Sequence, residues 1–179
     1  GKRTACIGNA DLAGVPRRQI LSLLMDSRGV VDLGDVGPAT QVVDGTAPGG
    51  RRADVDALAR AFGRVSPHAD VVAIEFGDTS RLAACRDDLA PAAYAEARAA
   101  ALRRLDALVG ALRERIDPVE TLFLLLSPAP PVAPSATEQV LTPLFVAGPR
   151  FGSGLLRSAT TRRPGLVANA DVPATLAAA

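Results

Sequence analysis

Asp78-Thr79-Ser80-Arg81 places a carboxylate, two hydroxyls and a guanidinium at four consecutive positions, just after the apolar run Val71–Phe76 and Gly77. At the end of a buried strand these side chains can form a pocket for an anion or a metal, with the planar Arg81 fork holding phosphate or carboxylate. They can equally well close a turn, with Asp78 and Ser80 bonded to nearby backbone amides and Arg81 solvated. Asn9 and Asp11 follow the first apolar run, and Ser127 follows another. In an open α/β sheet the ends of parallel strands share one edge, where ligands collect. Asn9, Asp11, Asp78, Thr79, Ser80, Arg81 and Ser127 are therefore the candidate ligand-binding set, and any surviving function is expected to pass through Asp78–Arg81.

Other chemistries are poorly supplied. No Gly-x-Ser-x-Gly elbow surrounds Ser127, and the one histidine, His68, precedes its strand and so falls at the opposite end of the sheet. A Ser-His-Asp hydrolase is not expected, and His68 reads as a surface loop residue. One His and the two separated cysteines, Cys6 and Cys85, do not make a zinc site. Cys6 lies in an apolar run and reads as a small buried residue. Asp11, Asp78 and Asp171 are carboxylates that could in principle hold Mg or Ca. Arg157, Arg162 and Arg163 read as a solvated basic loop, and Gly148–Gly154 matches neither a P-loop nor a dinucleotide fingerprint. No catalytic residue, metal ligand or cofactor is assigned.

The elements that would position these groups alternate. Thr4–Gly8 reads as a short strand, and Pro16 stands where a helix carrying Ile20, Leu21, Leu23 and Leu24 could start. Val30-Val31 suggests a short edge strand, and Gly34–Gly50 reads as loop. Asp54 can cap a helix with Val55, Leu58, Ala59 and Phe62 on one face, ended by Gly63. Val71–Phe76 has the continuous β-branched pattern of a central strand buried on both faces. A long helix is expected over Pro91–Ile116, with Tyr94, Ala97, Ala101, Leu105, Leu108, Leu112 and Ile116 as its stripe and Arg98, Arg104 and Glu114 on its wet face. Thr121–Leu126 and Leu141–Ala147 complete the strands, separated by the stiff run Ser127–Pro131. Asn169-Ala170-Asp171 caps a terminal helix with Pro173 in its first turn. This alternation predicts one α/β domain over residues 1–179, with a mostly parallel sheet and helices on both faces.

A chain of 179 residues with 48% hydrophobic residues can bury a core, and a disordered chain is excluded. A net charge of +1 and 3% aromatics, with no Trp, leave neither the field nor the stacking platforms for nucleic acid. No stretch is long and apolar enough to span a membrane. Gly1-Lys2-Arg3 runs straight into a strand and Leu176–Ala179 stops in the first turns of a helix, so the sequence reads as a piece of a longer protein whose other parts could carry targeting or membrane segments.

The last third adds a resemblance. Leu126-Ser127-Pro128, the run Leu141–Pro149, and Thr160–Leu176 with its Asn169-Ala170-Asp171-Val172-Pro173-Ala174-Thr175-Leu176 look like the end of an alkaline-phosphatase-superfamily domain. The ordered elements fit from about Asp70 onward. The chain most resembles bacterial members fused to membrane segments, which implies a place on the extracytoplasmic face of a bacterial membrane. It departs from them at the metals: Pro128-Ala129 stands where the family has Asp-His, no His follows His68, and the strand with the nucleophile is not recognisable. Two-metal phosphoryl transfer needs most of those groups.

The resemblance therefore implies a catalytically degenerate alkaline-phosphatase-like domain, a pseudoenzyme that binds a protein partner or a small polar or anionic ligand. Two alternatives stand beside it: a metal-dependent hydrolase or phosphotransferase with a reduced ligand set, and a purely structural domain.

Overall fold

The computed structural model describes residues 1–128 and 141–178. The chain divides into two compact units, Gly1–Arg115 and Ile116–Ala179. Ala129–Pro131, part of the expected stiff loop, and Ala179 lie outside the described residues.

In the first unit Thr4–Asn9 (β1) is buried along almost its whole length. It is flanked in parallel by Leu33–Asp35 (β2) and Val71–Phe76 (β5), giving the order β2-β1-β5. Between them the chain forms the one-turn helix Leu21–Leu24 (α1), an antiparallel ribbon of Gln41–Val43 (β3) and Arg51–Ala53 (β4), and the helix Val55–Val65 (α2). After β5 come Asp78–Ala84 (α3) and Pro91–Arg113 (α4). Asp54 caps α2 as expected, its side chain accepting from Ala57 N at 2.9 Å. Leu58, Ala59, Ala61 and Phe62 of α2 and Ala101, Leu108 and Leu112 of α4 are buried, and the two helices pack on each other.

The second unit contains Phe123–Leu126 (β6), Leu144–Ala147 (β7) and Asp171–Ala178 (α5). Among the described residues no helix is long and apolar enough to cross a membrane.

The chain is thus a mixed α/β protein with a small parallel sheet of three strands. Several expectations need correction. Val71–Phe76 is an edge strand of that sheet, half-buried at every residue, and β1 is central. A continuous apolar run reports that both faces are covered but says nothing of whether both edges are hydrogen-bonded.

β6 and β7 do not join the parallel sheet. They pair antiparallel with each other, Phe123 opposite Ala147 and Leu126 opposite Leu144. A strand's sequence marks its faces, not its partner.

Gly34–Gly50 is not plain loop, since it supplies the end of β2 and all of β3. The edge strand falls at Leu33–Asp35 rather than Val30-Val31, and the first helix is confined to Leu21–Leu24 rather than starting at Pro16. Gly63 lies inside α2, which runs on to Val65.

Candidate functional site

The sheet's carboxyl edge is built by the chain turning inward. β5 gives way at Gly77 to α3, so Asp78 and Arg81 occupy one helical turn rather than an open loop. At three residues apart they share a face. Gly77 leaves room for this: a Cβ there would collide with Asn9 O and stand 2.7 Å from Arg81 Nη1. Arg81 is 1% exposed and Asp78 4%.

Apart from Arg81 Nε, the polar atoms of these two side chains are bonded to other groups of the protein. Arg81 Nη2 donates to Asp78 Oδ1 at 2.8 Å, and the backbone N of Ala53, the last residue of β4, donates to the same oxygen at 2.7 Å. Arg104 Nε of α4 donates to Asp78 Oδ2 at 2.7 Å. Arg81 Nη1 reaches back to the carbonyls of Asn9 at 3.2 Å and Asp11 at 3.4 Å. One carboxylate therefore joins β4, α3 and α4, and one guanidinium joins α3 to the end of β1. Arg104, expected on the wet face of α4, is half-buried here, its long stem carrying the charge inward.

Asn9 is also turned to the fold. Its Nδ2 donates to the carbonyls of Val36 at 2.9 Å and Gly37 at 3.0 Å, while its Oδ1 accepts from Asp11 N at 3.0 Å and from Gln41 Nε2. Asp11 accepts from Arg17 N at 2.6 Å and from Arg18 Nη2 at 3.2 Å. Thr79 is half-buried and Ser80 exposed on α3, and no side-chain hydrogen bond among the described residues joins either to this network.

Ser127 belongs to the second unit, where its N donates to Pro143 O at 3.2 Å. It lines a cavity of about 40 Å³ with Thr142, Leu144 and Asn169. The structure thus brings Asn9, Asp11, Asp78 and Arg81 together within the first unit and places Ser127 in the other.

Three buried polar atoms in the first unit lack a hydrogen-bond partner: Gln41 Oε1, Glu75 Oε2 and Arg81 Nε. Glu75 was missed by the reading of the sequence, although a lone carboxylate inside Val-Val-Ala-Ile-Glu-Phe was the available signal. Burial pushes its carboxyl above the ordinary value of 4.5, against the pull of the Ile20 N–H and the Arg81 guanidinium, and the Asp11 carboxylate adds to the push. Burial, helped by Glu75, also pushes the Cys6 thiol up to about 11, so Cys6 is protonated and inert at neutral pH, as a buried cysteine should be.

In the second unit Asp171 gathers the segment before α5. Its carboxylate accepts from Ser158 Oγ at 2.5 Å, Thr160 Oγ1 at 2.6 Å and Ala168 N at 3.1 Å, and the two hydroxyls hold it below the usual carboxylate range. Asn169 Nδ2 donates to Pro128 O at 2.9 Å. Arg157, Arg162 and Arg163 are exposed, and so is His68 at the amino end of β5. Among the described residues no group of three or more His, Cys, Asp and Glu is placed to hold a metal ion.

Chemically, the edge of the first unit binds itself. Its one carboxylate with two arginine partners accepts three strong hydrogen bonds, which adds rigidity rather than reactivity, while Arg81 Nε is left without a partner. No protein-family model, curated protein or solved structure matches the chain.

Proposed function

We propose that this chain is a catalytically degenerate alkaline-phosphatase-like domain serving as an interaction module in a membrane-attached bacterial protein. The observation that carries the reading is the closure of the strand-end cluster. Both oxygens of Asp78 and both terminal nitrogens of Arg81 are spent on the protein's own groups, and both side chains are buried. A ligand at this edge would have to displace bonds to β1, β4 and α4, at a cost in buried unpaired charge. The sequence signals for the family, above all Asn169–Leu176, supply the fold assignment.

Of the two kinds of partner, a protein fits better than a small anion. The polar cluster is closed, whereas the β6–β7 ribbon has an open apolar face. Leu125 and Phe145 stand opposite each other on that face, and Phe145 is 62% exposed. An aromatic on an exposed apolar face is the kind of group a protein interface uses as an anchor.

The test is thermal unfolding of the purified chain with inorganic phosphate, Mn²⁺ and Zn²⁺ added separately. A ligand that binds the native state raises the midpoint by mass action. The expected result is no rise with any of the three. A rise with phosphate or metal that disappears in Arg81→Lys would overturn closure of the cluster and favour the reduced-ligand alternative.

A further inference from the structure

A groove of about 440 Å³ runs beside β2, lined by Leu21 of α1, by Cys6 of β1 and by Val31, Asp32, Leu33 and Val36. Successive residues of extended chain point to opposite faces, so a groove touching residues 31, 32, 33 and 36 follows the edge of the strand. That edge is free. β1 is the one neighbour of β2 in the sheet, so a row of β2 backbone N–H and C=O groups faces outward. Both walls are held by one element, since α1 packs on β1 and β2 pairs with it. Leu23, Met25 and Val30, in the segment that joins the two walls, are largely exposed. The charge here has one sign: residues 19–36 carry Asp26, Asp32 and Asp35 against Arg28 alone. Asp26 is paired with Arg28 at 2.8 Å, and Asp35 Oδ1 accepts from Gly37 N at 3.0 Å. Asp32 is exposed and makes no ion pair among the described residues. Its Oδ2 accepts from Thr4 N at 2.8 Å and Thr4 Oγ1 at 3.3 Å, which leaves Oδ1 for another donor.

We propose that the free edge of β2 and the groove beside it bind an extended, basic and apolar segment of a partner protein, which adds to the sheet as a fourth strand with a lysine or arginine at Asp32. The charge decides the occupant. A second copy of this chain laid edge to edge on β2 would bring Asp32 and Asp35 near the same residues, and like charges facing across strands are destabilising. A small apolar molecule would fill the walls but leave the edge amides and Asp32 without partners. An extended segment answers all three features: its main chain bonds the edge, its apolar side chains fill the groove, and its cation meets the carboxylate. This surface lies in the first unit and depends neither on the β6–β7 ribbon nor on the family assignment.

The probe is a fluorescein-labelled octapeptide of alternating valine and lysine, and its counterpart carries glutamate in place of lysine. Fluorescence anisotropy with the full chain should show the lysine peptide binding about tenfold tighter than the glutamate peptide. Asp32→Asn, which can still accept from Thr4, should weaken the lysine peptide about fivefold. Asp56→Asn, at an exposed carboxylate on α2, should leave it unchanged. Equal affinity of the two peptides, an equal effect of the two variants, or no binding up to about 1 mM overturns the proposal. Should Asp32→Asn fail to fold, amide exchange in the unaltered chain decides. Saturating lysine peptide should slow exchange at residues 31–36 and leave α2 as it was, and slowing elsewhere or none at all overturns the proposal.

Discussion

Arg104 donates to the one oxygen of Asp78 that Arg81 and Ala53 leave free, across 26 residues of chain. The longest helix of the first unit is thereby fixed to the turn that ends β5. Because Arg81 is fully buried and Arg104 is not, the two arginines should respond unequally to truncation. Arg81→Ala leaves Asp78 charged and buried with one of its three donors gone, which should cost about 3–5 kcal/mol. Arg104→Ala should cost about 1.5 kcal/mol, the loss of one charge-assisted bond that water can partly replace. Urea unfolding of the two variants checks the order.

Gly77→Ala should destabilise the first unit although the backbone there has an ordinary conformation. The added methyl meets Asn9 O and Arg81 Nη1, so the cost comes from crowding and is about 1–3 kcal/mol. Gly63→Ala, in the last turn of α2 with open space around its Cβ position, should be neutral or mildly stabilising, by up to about 1 kcal/mol. The thermal midpoint should fall in Gly77→Ala and hold or rise slightly in Gly63→Ala.

Acid should act oppositely on Glu75 and Asp171. The Glu75 carboxyl is raised in the fold, so its contribution grows as pH falls toward 4.5. Asp171 is lowered by the Ser158 and Thr160 hydroxyls, so its contribution is present above its ordinary value of 3.8 and is lost as pH falls through its lower folded value. Amide exchange should therefore show the segment before α5 loosening in acid. Asp171→Asn should remove the acid response of the second unit and leave that of the first.

Phe145→Ser should leave stability nearly unchanged, since the ring is mostly exposed, and should reduce the chain's binding of an apolar fluorescent dye. Unchanged dye binding would show that the outer face of the β6–β7 ribbon is not the chain's open apolar surface.

The sequence disclosed faces better than edges. The apolar stripe of α4, the Asp54 cap and the helix after Asn169–Asp171 were legible because each rests on local spacing. The centrality of β1 over β5 was not, because both read as apolar runs and pairing depends on distant segments. At the site, Asn9, Asp11, Asp78 and Arg81 were identified from their position after strands. Their partners Ala53, Gln41 and Arg104 were hidden, since a backbone amide, a strand glutamine and a helix arginine carry no local mark of a contact made across the fold. A list of residue types also cannot say whether a cluster opens to a ligand or closes on itself, and here that difference lies in burial.

A double-mutant cycle on Asp78→Ala and Arg81→Ala tests closure most directly. If the pair is a buried, mutually dependent device, each single variant strands the other's charge, and removing both relieves part of that cost. The double variant should then be more stable than the sum of the singles predicts, by about 2 kcal/mol. Additive losses, with the coupling within about 0.5 kcal/mol of zero, would mean that the two groups act independently and would contradict the account of the cluster as one mutually dependent, self-closed device.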